Sequence, residues 1–218
     1  MKSLLIFSFL LPHAMFADWV LVQKTSVEGS SGTQEMTIKL KGEKARMDLG
    51  TQMTLLSDST NGEMKMYLHA QKMAVNLNAD TMKSAMALAG QFLGKNDEKI
   101  AKPEATGQKE KVSGYDAEIY HWKGKLGTGR FWVTADFPAY KEINALQDKM
   151  AKGMGNPAAN LAPQASDFPG MVVKSEMEML GKKTTTELVS VKQEPVSDEA
   201  FKAPEGYQEM KLPGLPGK

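Results

Sequence analysis

The chain has 218 residues, with 27 Lys+Arg against 26 Asp+Glu, three His and no Cys. That balance lacks the basic excess with which a nucleic-acid binder meets phosphates. Without Cys there is neither a disulfide framework nor a thiol nucleophile, and a chain of this length can bury a working core without covalent staples.

In chain order, Lys2 precedes the apolar run Leu4–Leu11, and Pro12 stands ahead of Ala14 and Ala17. This is the three-part pattern of a cleavable export leader over residues 1–17. The run falls well short of the ~20 apolar residues a spanning helix needs. Cutting after Ala17 puts Met15 where a smaller residue is preferred, and cutting after Ala14 is the alternative. No thiol follows either site, so a lipid-modified N-terminus is not expected. The working protein is expected to begin near Asp18, to lack a membrane span and to be periplasmic.

Residues 19–77 are short and alternating. Strands are predicted over 19–27, 35–41, 44–49, 53–58, 63–69 and 72–77, from a period-two alternation of polar and apolar side chains. Gly42-Glu43, Gly50 and Asn61-Gly62 punctuate them, and Asn-Gly supplies the positive φ angles of a tight hairpin. Strands at such regular spacing predict an antiparallel meander that curls into a sandwich or barrel. The period then switches. Asp80 is a good N-cap, and Met82, Ala85, Met86, Ala89 and Phe92-Leu93 predict an amphipathic helix over 81–93, stopped by Gly94. Residues 95–106 read as a polar linker.

Strands return at 108–112, 115–123 and 130–135, with Ala117, Ile119 and His121 on one face and Tyr120 and Trp122 on the other. Ile143, Leu146 and Met150 predict a second helix over 139–150. Residues 152–168 are rich in Gly, Ala, Asn and Pro and read as a flexible segment. A last hairpin is predicted from 171–180 and 184–192, then a capped helical turn at Ser197–Phe201 and an exposed tail over 211–218. No internal repeat is present. The expectation is one α+β domain over 18–210, a long antiparallel sheet with two helices on one face.

Catalytic motifs are missing. There is no phosphate-cradling Gly loop, no Gly-x-Ser-x-Gly elbow and no His-Glu-x-x-His, so no catalytic residue is assigned, no cofactor is expected and the reading is non-enzymatic. His69 and His121 sit on separate strands without a carboxylate at ligand spacing, which predicts no metal site. Glu176 and Glu178 share a strand face, and a solvated face explains them better than paired acid–base work. The most unusual count is 16 Met. Met64 with Met66, and Met177 with Met179, each aim two thioethers the same way. Thioethers suit Cu(I), but methionines spread over many strands do not make a compact metal site. A deformable apolar surface and an ordinary core are the remaining readings.

The blocks Val112–Tyr120, Phe131–Asp136, Phe168–Met171 leading into Thr184–Val191, and Phe201–Tyr207 together resemble, in order, an uncharacterised family of exported bacterial proteins. That family is in turn similar to the periplasmic lipoprotein carriers of the LolA/LolB type. The resemblance runs from about Trp19 to Met210. It implies a strongly curved antiparallel sheet, a half-barrel, with the helices on its concave side and a hydrophobic cavity between, and it brings over no catalytic residue.

On that basis the expected ligand is an acyl chain, a lipid or a lipoprotein, with other cell-envelope proteins as further partners and no nucleic acid. Face and residue type select Trp19, Met36, Met64, Met66, Met86, Phe92, Phe131 and Met177 as candidate cavity-lining residues. The competing reading is an interaction or structural protein of the envelope whose half-barrel is filled by its own side chains. A hydrolase would need His121 to meet a Ser and a carboxylate.

Overall fold

Period-two alternation is realised along one open, curved, 12-stranded sheet that is antiparallel except at one edge. The computed structural model describes residues 18–30, 32–77, 101–125, 127–137, 139–153 and 162–210. The N-terminal meander is β1 (Trp19–Val27), β2 (Thr33–Lys41), β3 (Lys44–Leu49), β4 (Met53–Asp58), β5 (Glu63–Leu68) and β6 (Met73–Asn76). The C-terminal part is β7 (Glu104–Val112), β8 (Tyr115–Gly124), β9 (Gly127–Thr134), β10 (Met171–Met179), β11 (Lys182–Gln193) and the short β12 (Gln208–Met210).

The strand order is β12-β6-β5-β4-β3-β2-β1-β11-β10-β9-β8-β7. Strands adjacent in sequence are therefore adjacent in space, apart from the steps β6 to β7 and β11 to β12. The two meanders join where β1 pairs with β11, with a bulge between Val22 and Gln23. Strand β12 closes the other edge by lying parallel to β6.

Four strands begin earlier than the pattern predicts, β2 and β11 by two residues and β7 and β9 by more. β7 starts at Glu104, inside the expected linker. Gly107, at φ 74°, lies within a register shift between Ala105 and Lys109 that hides the alternation. β9 starts at Gly127 because glycines let backbones meet closely: a Cβ on Gly127 would sit 2.0 Å from the Glu178 carbonyl oxygen.

The main core lies on what we call the inner face. Trp19, Leu21, Ile38, Leu40, Ala45, Ala117, Ile119, Trp132, Met171, Val173 and Leu188 are buried there together with Ile143 of helix α1 (Tyr140–Gly153). Phe137, just before α1, lies with its ring centroid 6.3 Å from Trp19 on β1 and 6.2 Å from Tyr115 on β8. Those strands are four places apart, ~19 Å along a flat sheet at ~4.8 Å per strand. The sheet bends toward this face. α1 is the one α-helix among the described residues, and the helix expected over 81–93 lies outside them.

Of the segment expected to be flexible, residues 154–161 lie outside the described residues. α1 continues to Gly153, and residues 162–170 are packed. Phe168 joins Trp122, Phe131 and Val133 in a smaller core on the opposite, outer face of β8–β10. The final segment, 194–207, runs along the outer face of the N-terminal strands before β12 joins the sheet edge. It is held there by Lys41 Nζ donating to the Val196 carbonyl at 2.7 Å, and by Arg46 donating to the Ala200 carbonyl at 2.9 Å.

Candidate ligand-binding face

Tight hairpins carry one face from strand to strand, because residues directly opposed across a ladder point the same way. One such row runs Leu21, Ile38, Met47, Leu55, Met66, Val75 and Met210. The next runs Gln23, Met36, Leu49, Met53, Leu68 and Met73, and a third runs Trp19, Leu40, Ala45, Ser57 and Met64. Met36, Met47, Met53, Met64, Met66, Met73 and Met210 thus share the inner face, forming a methionine wall across β2–β6 and β12. Only Met64 is sealed, at 1% exposure; the others are half-buried.

Leu146 of α1 reaches this wall at Leu40, Ala45 and Met64, where the remaining space is about 30 Å³. That is room for a solvent molecule or two. Trp19 stands at the end of the third row. Its indole Nε1 is buried and has no hydrogen-bond partner.

The candidates chosen from sequence divide. Trp19, Met36, Met64 and Met66 come together on the inner face. Phe131 belongs to the outer-face cluster and Met177 packs against that same cluster. Met86 and Phe92 lie outside the described residues. Met47, Met53, Met73 and Met210, not among those candidates, lie on the same face. Their signal was available: the two-residue turn Gly42-Glu43 sets Lys41 opposite Lys44, which puts Met47 opposite Ile38.

The outer face of the same strands is polar. Thr54, 1% exposed, donates to Asp48 Oδ1 at 2.6 Å and lies 3.0 Å from His69 Nε2, while His69 Nδ1 lies 2.5 Å from the Tyr207 hydroxyl. Arg46 Nε donates to both Asp48 oxygens at 3.0 and 2.7 Å. Burial pushes the Asp48 carboxyl up, but the hydrogen bonds from Arg46 and Thr54 outweigh it and hold it below the ordinary carboxylate range. This is no nucleophile–base–acid relay. The carboxylate binds the hydroxyl rather than the imidazole, and the hydroxyl is out of reach of a substrate.

On β8–β11, His121 is exposed and stands opposite Glu104 and Arg130. Glu176 receives Lys174 at 3.2 Å, Lys183 at 3.7 Å and Arg130 at 3.8 Å. Burial works to raise its pKa, but the Lys174 hydrogen bond and these three cations outweigh it and lower it. Among the described residues, no group of three or more His, Asp or Glu is placed to hold a metal ion.

Sheet and site define a class: an open, curved antiparallel sheet with a methionine-rich apolar wall inside and a polar, strapped outer surface. The chain belongs to the domain-of-unknown-function family DUF4412, whose model matches residues 20–207. No curated protein matches it.

Among solved structures it is similar to PNGF-II, at 12% identity and a TM-score of 0.42, covering 91% of this chain and 31% of that one. The chain thus spans about a third of PNGF-II. It is similar to a putative outer membrane lipoprotein-sorting protein domain from Vibrio parahaemolyticus, at 12% identity and TM-score 0.39, covering 85% and 89%. It is also similar to a LolA superfamily protein from Nitrosomonas europaea, at 9% identity and TM-score 0.33, covering 86% and 90%. With TM-scores below 0.5, no ligand or activity transfers from them.

Proposed function

We propose that this protein is an exported, periplasmic binding protein that shields a hydrophobic ligand, an acyl chain carried by a lipid or a lipoprotein, against the methionine wall. The observation that carries the reading is the gathering of half-buried methionines from successive strands onto one face. Methionine is unbranched and polarizable, so such a wall adapts to a flexible chain without a fixed shape. Each CH₂ taken out of water contributes ~0.8 kcal/mol. The unpartnered Trp19 indole is a donor that a ligand carbonyl or carboxylate would satisfy.

The leader over residues 1–17 supports export. Among the described residues no helix is long and apolar enough to cross a membrane. In this reading the mature domain begins near Asp18, and the amphipathic segment 81–93 covers the wall as a second helix, on the concave side with α1.

Native mass spectrometry of gently purified protein, together with titration of a fluorescent fatty acid, tests the reading. Bound lipid and saturable fluorescence are expected; neither being found would sink it. A second reading has its own observation: the space beneath Leu146 is nearly filled. There the wall is ordinary core and the protein is a non-enzymatic interaction or structural protein of the envelope. That reading predicts no ligand-dependent change in stability.

A further inference from the structure

At one end of the sheet the hairpins β8–β9 and β10–β11 stand side by side, since Gly127 pairs with Met179. Their tips carry Lys123, Lys125, Lys182 and Lys183, all exposed. The acidic residues near these tips are Glu176, which pairs with Lys183 at 3.7 Å, Glu178, opposite Lys183 across the β10–β11 ladder, and Glu28, which is bonded through its backbone N–H to Lys183. Between the tips and β7 opens a groove of about 580 Å³ of mixed charge, where Lys102, Lys123, Arg130 and Lys183 face Glu104, Glu176 and Glu178.

The tip of β10–β11 is the informative part. Leu180 and Gly181 both have positive φ, 52° and 75°, the pattern of a type I′ turn. That turn favours Asn-Gly, and a branched apolar residue in the left-handed region is strained. The β7–β8 turn has the same pattern with Ser113-Gly114, at 51° and 86°. Leu180 is nevertheless there, 71% exposed, and nothing within the fold requires it. A large apolar side chain held out of the fold on a strained turn, ringed by lysines, is suited to a surface that is anionic outside and apolar just beneath.

We infer that this end of the sheet docks on an anionic lipid bilayer. The lysines of the two hairpin tips meet the headgroup phosphates, and Leu180 dips into the acyl boundary. The surface is separate from the methionine wall, and its test reads vesicle binding rather than ligand loading, so either proposal can fail alone.

The experiment is flotation of the full mature chain with vesicles of phosphatidylglycerol and phosphatidylcholine, against vesicles of phosphatidylcholine only. Binding to the anionic vesicles alone is expected, and its loss at about 1 M salt, where the Debye length is ~3 Å. Lys125→Glu/Lys182→Glu should weaken binding on the order of tenfold or more. Leu180→Asn replaces the strained residue with one the turn prefers, so it should fold at least as well and still bind less. Circular dichroism and thermal melting check the fold of both variants. Equal binding to the two vesicle types, no binding to either, or wild-type binding by the lysine variant would overturn the docking surface. Unchanged binding by Leu180→Asn alone would overturn the insertion of that residue.

Discussion

A single hydroxyl sets the direction of the outer-face network. Thr54 gives its proton to Asp48, so His69 Nε2, 3.0 Å away, must donate to the Thr54 oxygen. In the neutral imidazole Nδ1 is then the acceptor, and the Tyr207 hydroxyl donates to it. Tyr207 thereby ties segment 194–207 to β4 and β5, aided by the edge-to-face packing of Tyr207 on Tyr67 at 5.3 Å. Tyr207→Phe keeps the ring and removes the bond; a loss of about 1 kcal/mol is expected in urea unfolding. The Asp48 carboxyl is held below its ordinary range in the fold. Its pairing therefore contributes stability above the unfolded value of ~3.9, and that contribution is lost as pH falls through the lower folded value. The unfolding midpoint of wild type should drop steeply below about pH 4. Asp48→Asn should be less stable at pH 7 and show a flatter acid limb; equal slopes would rule out Asp48 as a source of the acid sensitivity. None of this network was legible in the sequence. Its members come from β3, β4, the end of β5 and the chain's last strap, and nothing in their spacing announces the meeting.

At the scale of elements, hairpins were read well and irregular segments poorly, for a physical reason. Alternation reports burial of every second side chain, so β1, β3 and β4 match their predicted bounds. Residues 162–170 have no such period because they are held through their backbone. Asn144 Nδ2 donates to the Ala165 carbonyl at 2.9 Å and to the Gly170 carbonyl at 3.0 Å. Asp148 accepts from the Ala165 and Ser166 amides at 3.0 and 3.2 Å. Two polar residues one turn apart on α1 thus clamp a loop, and Phe168 anchors it on Phe131 at 4.8 Å. Asn144→Leu conserves volume but strips both carbonyls of their donor in a buried place. It should cost about 2–3 kcal/mol, and amide exchange around 165–170 should accelerate. A variant as stable as wild type would show that the clamp contributes little. Met177 fell on the outer face because strand β10 carries a register shift between Val172 and Lys174, while Phe131 on β9 stands opposite Tyr120, on the face of Trp122. Residue type alone does not reveal which way a strand faces beyond a bulge.

Across the whole molecule, local pairings build two meanders, and distant ones make them one sheet. The seam β1–β11 joins residues as far apart in sequence as Thr25 and Thr186, whose hydroxyls meet at 3.1 Å. The parallel β12–β6 edge is also remote in sequence, and three residues are too few to show a period. The hairpins make the methionine wall continuous and the seam joins it to the C-terminal core. The wall explains why methionines that look scattered along the chain are not scattered in space. It also allows the ligand to be tested through the stability of the whole sheet. A ligand bound only by the folded form stabilises it by ~2.7 kcal/mol at a hundred times its dissociation constant. In a chain this size that is a melting shift of roughly 5–10 °C. Saturating long-chain fatty acid should raise the melting temperature of wild type by that order. Met53→Gln/Met66→Gln places amides on the half-buried wall, away from the Leu146 contact. It should keep the unliganded melting temperature within a few degrees and lose most of the shift, because a buried amide facing an acyl chain has no partner. If wild type shows no shift, the wall is filled core. If the shift survives in the double variant, the ligand sits elsewhere.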